Sequence, residues 1–170
     1  MLSRRAFIRA ATVPTAAALV LGTTERCEAA NASWPPLRTG DVLLTRLASW
    51  NVVPGFYNHS AMYDGQNVIE AQIGGNAVKK TTLGTFYNTY PTIVVLRHVS
   101  VKTAPVTTMG QYATSLVGQK YVSISGWFPL VYSCVSLIRV CYMRGFAVDP
   151  GFKIPDHIYN SSLFRVVGWK

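Results

Sequence analysis

The chain has 170 residues, with sixteen Lys/Arg against seven Asp/Glu, a formal charge of +9, and three cysteines. That length accommodates one domain with a real core. The basic residues are scattered without interleaved aromatics, which excludes a nucleic-acid reader. The same balance suits anionic envelope polymers or lipid head groups, and equally plain solubility.

Ser3-Arg4-Arg5-Ala6-Phe7-Ile8-Arg9 is a twin-arginine motif, Ala10–Gly22 a short Ala-rich apolar stretch, and Ala30-Asn31-Ala32 a small-x-small cleavage site. A spanning helix needs about 20 apolar residues, so the apolar stretch reads as a signal peptide over 1–32 and the mature chain, 33–170, carries no transmembrane segment. Cys27 does not sit in a lipoprotein pattern. The expectation is export through the twin-arginine translocase to the periplasm or beyond. Four of the sixteen basic residues and two of the seven acidic ones precede the cleavage site, which leaves a mature charge of about +7. Glu70 is then the one remaining glutamate.

After a linker containing Trp34-Pro35-Pro36, Gly40-Asp41 turns into a first strand ending near Arg46, followed by a Gly/Pro-containing loop, Trp50–Tyr57. Two runs rich in strand formers, His59–Tyr63 and Gln66–Glu70, flank Asp64-Gly65, the signal for a tight hairpin. A two-residue turn pairs Tyr63 with Gln66 and sets His59 directly opposite Glu70, with Cβ atoms about 4.5–5.5 Å apart. A four-residue loop sets His59 opposite Gln72 instead, with Glu70 on the diagonal. Both registers keep a polar group near the imidazole. Ala77–Thr82 and Thr92–Val99 read as further strands, Leu83–Tyr87 as a helical turn, and Pro105–Val117 as a helix stopped by Gly118.

Cys134 and Cys141 fall in Ser133–Gly145, a predicted helix opened near Ser133 and ended by Gly145. Seven residues make two turns, so the sulfurs share a face about 10 Å apart along the axis, beyond disulfide reach. An oxidising compartment usually pairs its thiols, so this unpaired arrangement needs another explanation. At the helix start the dipole and free N–H groups favour a Cys134 thiolate, whereas Cys141 lies in an apolar stripe with Leu137 and Ile138. Taken alone, Cys134 also reads as a small buried residue; beside a His–carboxylate pair it reads as a nucleophile. His98, after a buried strand, and His157, in a loop, read as structural. The mature thiols and histidines show no zinc-ligand spacing, and neither a metal nor another cofactor is expected.

Gly40-Asp41, Asn58-His59-Ser60, Val68-Ile69-Glu70-Ala71, Gly118-Gln119-Lys120-Tyr121 and Ser133-Cys134-Val135-Ser136-Leu137-Ile138, in that order, resemble the circularly permuted papain-like family, the YiiX/YaeF-type branch of the NlpC/P60 superfamily. Pro155-Asp156 and Ser161–Val167 add a weaker match. In that family the His and its acidic partner precede the Cys, as here. Val135-Ser136 and Val122 stand near positions where members commonly carry acidic residues. The resemblance implies an α+β fold, a small antiparallel sheet packed against helices. It also implies a triad of Cys134 as nucleophile, His59 as general base and Glu70 as orienting group. The Cys134 backbone N–H is a natural oxyanion donor, with Tyr121 or Tyr132 as the second.

The implied activity is amide hydrolysis, with a peptide or peptidoglycan-like substrate in the cell wall. One alternative is acyl-lipid chemistry, as in the lecithin–retinol acyltransferase-like group, which commonly has a second His where Glu70 stands. The other is a catalytically silent module that holds a peptide or fatty acid in the same groove.

Overall fold

The computed structural model describes residues 36–46, 55–71, 78–100, 102–119 and 133–170. The leader, Tyr121 and Tyr132 lie outside the described residues. Six strands, β1 (Val42–Thr45), β2 (His59–Tyr63), β3 (Asn67–Ala71), β4 (Val78–Thr82), β5 (Ile93–His98) and β6 (Phe164–Trp169), form one sheet ordered β4-β3-β2-β1-β5-β6. Every neighbouring pair is antiparallel. Four helices accompany them among the described residues: α1 (Leu83–Thr89), α2 (Thr103–Ser115), α3 (Ser133–Phe146) and α4 (Pro155–Tyr159). The protein is therefore α+β, with a small antiparallel sheet on helices.

β1 is Val-Leu-Leu-Thr and wholly buried, a run that suits a strand covered on both faces. On one face Leu43, Ala61, Val68 and Ile93 pack with Phe86 and Tyr90, contributed by α1 and the residue after it. On the other, Val42, Leu44, Met62, Ile69 and Leu96 meet Met109 and Ala113 of α2 and Cys134, Leu137, Ile138 and Cys141 of α3. Fully burying each large aliphatic side chain contributes about 1.5–3 kcal/mol. β4, at one edge, reads Val-Lys-Lys-Thr-Thr with Lys79 and Lys80 exposed, a composition that blunts an unpaired edge.

The hairpin takes the longer register. Tyr63 pairs with Val68 and Ala61 with Glu70, so the two-residue turn is corrected to a four-residue loop and Glu70 moves to the diagonal from His59. The cause is the Asp64 carboxylate, which accepts from the backbone N–H of Gln66 (2.8 Å) and Asn67 (2.7 Å), while Gly65 takes φ 107°. That side-chain-closed turn outcompetes a backbone-only turn. Thr114 of α2 donates to the same carboxylate at 3.0 Å.

The end of α3 differs from expectation as well. Gly145 lies inside the helix, and the left-handed position belongs to Ala147 (φ 55°), whose N–H bonds the Met143 carbonyl at 2.8 Å. Gly145 instead lets α3 approach α2: a Cβ there would lie 2.5 Å from the Pro105 carbonyl oxygen. α2 begins two residues earlier than the sequence pattern suggested and ends at Ser115, with Gly118 just beyond at φ 83°. α4 and β6 were not anticipated as elements. The Asp41 carboxylate ties the start of β1 to the end of β5, accepting from Arg97 Nε at 2.9 Å and Nη2 at 2.7 Å.

Candidate active site

β2 begins with His59, held between β1 and β3, with Thr45 as its partner across the β1 ladder. Strand alternation puts His59 and Ala61 on one face, and Ala61 faces Glu70, so the imidazole and the carboxylate share that face. His59 Nε2 lies 2.9 Å from Glu70 Oε2. Both side chains are almost wholly withdrawn from solvent, 5% and 1% exposed, which strengthens their attraction.

Glu70 is bound on all sides. Oε2 also accepts from the Tyr90 hydroxyl at 2.8 Å, Oε1 accepts from Thr81 Oγ1 at 2.8 Å, and Lys79 Nζ stands 3.4 Å from Oε1. Burial would raise this carboxyl, but the hydrogen bond and charge of His59, with Thr81 and Tyr90, outweigh burial and hold it at about 2. The Tyr90 ring is stacked on the His59 imidazole, centroids 5.4 Å apart and planes inclined by 28°.

Cys134 enters as the second residue of α3, which packs on the opposite face, and its side chain reaches His59 at the start of β2. The two are hydrogen-bonded. With Nε2 committed to Glu70, Nδ1 is the ring nitrogen left for the sulfur. Burial lowers the His59 pKa, yet the bonds to Cys134 and Glu70 and their charges carry it up to about 9. Burial raises Cys134, and His59, with the backbone and hydroxyl of Ser60, more than offsets that, so the thiol lies below its ordinary value. Ser60 Oγ is itself buried and has no hydrogen-bond partner among the described residues, so it acts on the sulfur as a nearby hydroxyl dipole. Cys141, two turns on, is fully buried, and burial alone pushes its thiol far up. Both cysteines are free.

The structure thus brings Cys134, His59 and Glu70 into one line, thiol–imidazole–carboxylate, and adds Tyr90, Thr81 and Ser60. Tyr90 had no sequence signal beyond an aromatic before a proline. Thr81 was findable once the β3–β4 register was known, because it shares the Glu70 face. His98 is enclosed by Tyr142, Phe146 and Phe164, with Phe146 stacked on it at 4.2 Å, a structural role. His157 lies on α4, where its Nδ1 accepts from the Lys153 backbone N–H at 3.4 Å. The expected oxyanion partners Tyr121 and Tyr132 fall outside the described residues.

No family model matches the chain, and no curated protein sequence is similar to it. Among solved structures, the crystal structure of the metalloprotein YiiX from Escherichia coli O157:H7, assigned to DUF1105, is similar. It superposes with a TM-score of 0.64 at 16% identity, covering 81% of this chain and 99% of that one. The chain therefore has a YiiX-like fold. As for the metal named for that neighbour, His59 is already engaged by both Cys134 and Glu70. No group of three or more His, Cys, Asp or Glu among the described residues is arranged to hold a metal ion. No helix among them is long and apolar enough to cross a membrane.

Proposed function

We propose that this protein is an exported cysteine hydrolase that cleaves an amide bond, with a cell-wall peptide as the favoured substrate. The observation that carries the reading is one buried imidazole hydrogen-bonded to both the Cys134 thiol and the Glu70 carboxylate. A thiol held below its ordinary value beside a raised imidazole favours the thiolate–imidazolium pair, the reactive form of cysteine. The order His59, Glu70, Cys134 along the chain, together with the YiiX-like fold, supports the circularly permuted papain-like arrangement of the NlpC/P60 superfamily. The twin-arginine motif supports delivery to the periplasm or beyond.

In this mechanism the Cys134 thiolate adds to the scissile carbonyl, and the oxyanion takes the Cys134 backbone N–H, which lies in the first turn of α3 and has no partner within the helix. His59 passes its Nδ1 proton to the departing amine as the C–N bond breaks, leaving a thioester on Cys134. Neutral His59 then takes a proton from water, the hydroxide adds to the thioester, and the thiolate departs with the carboxylic acid product released. Glu70 fixes the tautomer and stabilises the imidazolium without itself becoming protonated.

The test is incubation of the mature protein with muropeptides and, separately, with acyl lipids, followed by mass spectrometry of both products and protein. The expected outcome is cleavage of a muropeptide amide and an acyl adduct on Cys134, both absent from Cys134→Ala. Cleavage that survives Cys134→Ala would sink the mechanism, and turnover of acyl lipid alone would move the substrate to the acyltransferase-like alternative.

A further inference from the structure

At the pole of the sheet away from Cys134, a cavity of about 490 Å³ opens between the start of β1, the end of β5, the start of β6 and the first turns of α2. That volume suits a small-molecule ligand. Arg38, Arg97, Lys102 and Arg165 line it, against a single carboxylate, Asp41. Asp41 is 1% exposed and already committed: it accepts both Arg97 bonds and the Arg38 backbone N–H at 2.8 Å. Its charge answers Arg97 alone.

Arg165 sits directly across the β5–β6 ladder from Arg97. Like charges in that relation repel, and Asp41 relieves only one of the two. Among the described residues neither Arg165, Lys102 nor the Arg38 side chain forms an ion pair. Three uncompensated cations therefore border one concavity, and Thr103 and Thr107 of α2 supply hydroxyls to the same wall. A monovalent carboxylate would leave most of this charge unanswered, whereas a phosphate group carries about −1.5 to −2 at neutral pH and matches the guanidinium fork.

We propose that this cavity is a binding site for a phosphate-bearing ligand, held by Arg165, Lys102 and Arg38, and independent of the thiol site at the other end of β1. The volume exceeds what a bare phosphate fills, so the ligand brings an organic portion, whether a soluble phosphate ester or a lipid head group.

Calorimetric titration with pyrophosphate at an ionic strength of about 0.15 M, where loose surface attraction is largely screened, tests the site. Single-site binding is expected, weakened about tenfold by Arg165→Ser and about tenfold again by adding Lys102→Ser. Both side chains are exposed, so the variants should keep the wild-type melting temperature and Cys134 alkylation rate. Vesicles containing phosphatidic acid, compared with phosphatidylserine vesicles of matched charge, identify the source. A preference for phosphatidic acid that the double variant loses assigns a lipid, and pyrophosphate binding without that preference assigns a soluble ester. Absence of both saturable pyrophosphate binding and vesicle preference overturns the proposal, as does binding that the double variant leaves intact.

Discussion

Tyr90 holds both members of the His59–Glu70 pair: its ring is stacked on the imidazole and its hydroxyl donates to Glu70 Oε2 at 2.8 Å. Tyr90→Phe keeps the ring and removes one donor from a buried carboxylate. A hydrogen bond to a charged group contributes about 1.5–3 kcal/mol, so the variant should fold with unfolding free energy lower by about that amount, and the Glu70 carboxyl should titrate higher. Tyr90→Ala removes the stacking too and should be the more damaging, slowing Cys134 alkylation as the imidazole loses its seat. Urea unfolding and carboxyl NMR titration read these effects. A Tyr90→Phe protein as stable as the parent would show that the hydroxyl does not hold the carboxylate.

Cys134 and Cys141 occupy the same helix face and both are buried, yet they should behave oppositely. Cys134 has His59 and Ser60 to stabilise its thiolate, and Cys141 has only burial, which disfavours it. Iodoacetamide at neutral pH should label Cys134 first and leave Cys141 until the protein unfolds. Each unit of lowered pKa raises the thiolate fraction about tenfold below that pKa. His59→Ala removes the largest stabilising contribution and should erase the preference. Equal labelling of the two thiols in the native protein would refute the thiolate assignment.

The pairing of His59 with Glu70 was legible because two strands and a turn are local: the choice lay between two registers, and both kept a polar group on the imidazole's face. What the sequence could not show was which register wins, since that depends on the Asp64 side chain closing the turn from within. Cys134 could be placed at a helix start from its neighbours, but its meeting with His59 needs α3 to pack across β2, a contact between residues 75 positions apart that no periodicity encodes. Tyr90 lay beyond reach for the same reason. Gly145 was misread because a glycine near a helix end has two physical uses, a left-handed cap or a close approach, and only the position of Pro105 separates them. β6 is hard to read from sequence although Phe164–Trp169 carries strand formers, because its short alternation is broken at Val167, where the β5–β6 register shifts between Val166 and Gly168.

The stability contributed by the ionised pair should peak in mildly acidic solution. His59 is raised from 6.5 to about 9, so its contribution is complete below pH 6.5 and lost as pH rises through 9. Glu70 is lowered from 4.5 to about 2, so its contribution is complete above pH 4.5 and lost as pH falls through 2. Both are fully present between about pH 4.5 and 6.5. Because Cys134 is among the groups that raise His59, Cys134→Ala should bring the alkaline loss to lower pH while leaving the acid limb in place. Glu70→Gln should remove the acid limb. Urea unfolding across pH measures all three proteins, and the midpoints belong to the coupled groups rather than to either alone. An alkaline limb that does not move in Cys134→Ala would show that the thiol and the imidazole are not coupled.

Two glycine-to-alanine changes should act with opposite sign. At Gly84, in the first turn of α1, a Cβ meets nothing within 4 Å, so Gly84→Ala gains helix propensity and loses unfolded-chain entropy, stabilising by about 0.5–1 kcal/mol. At Gly145 the same Cβ lies 2.5 Å from the Pro105 carbonyl oxygen and 2.8 Å from Met109 Cγ. Met109 has rotamers to give, but a backbone carbonyl on α2 does not, so the helices must part. Overpacking of that kind costs about 1–3 kcal/mol, against a propensity gain of about 1 kcal/mol, and the net change should be destabilising. Cys134 is three turns away at the other end of α3, so its alkylation rate in Gly145→Ala should match the parent below the unfolding transition. A Gly145→Ala protein more stable than the parent would mean that the α2–α3 contact is looser than the close approach at Pro105 implies.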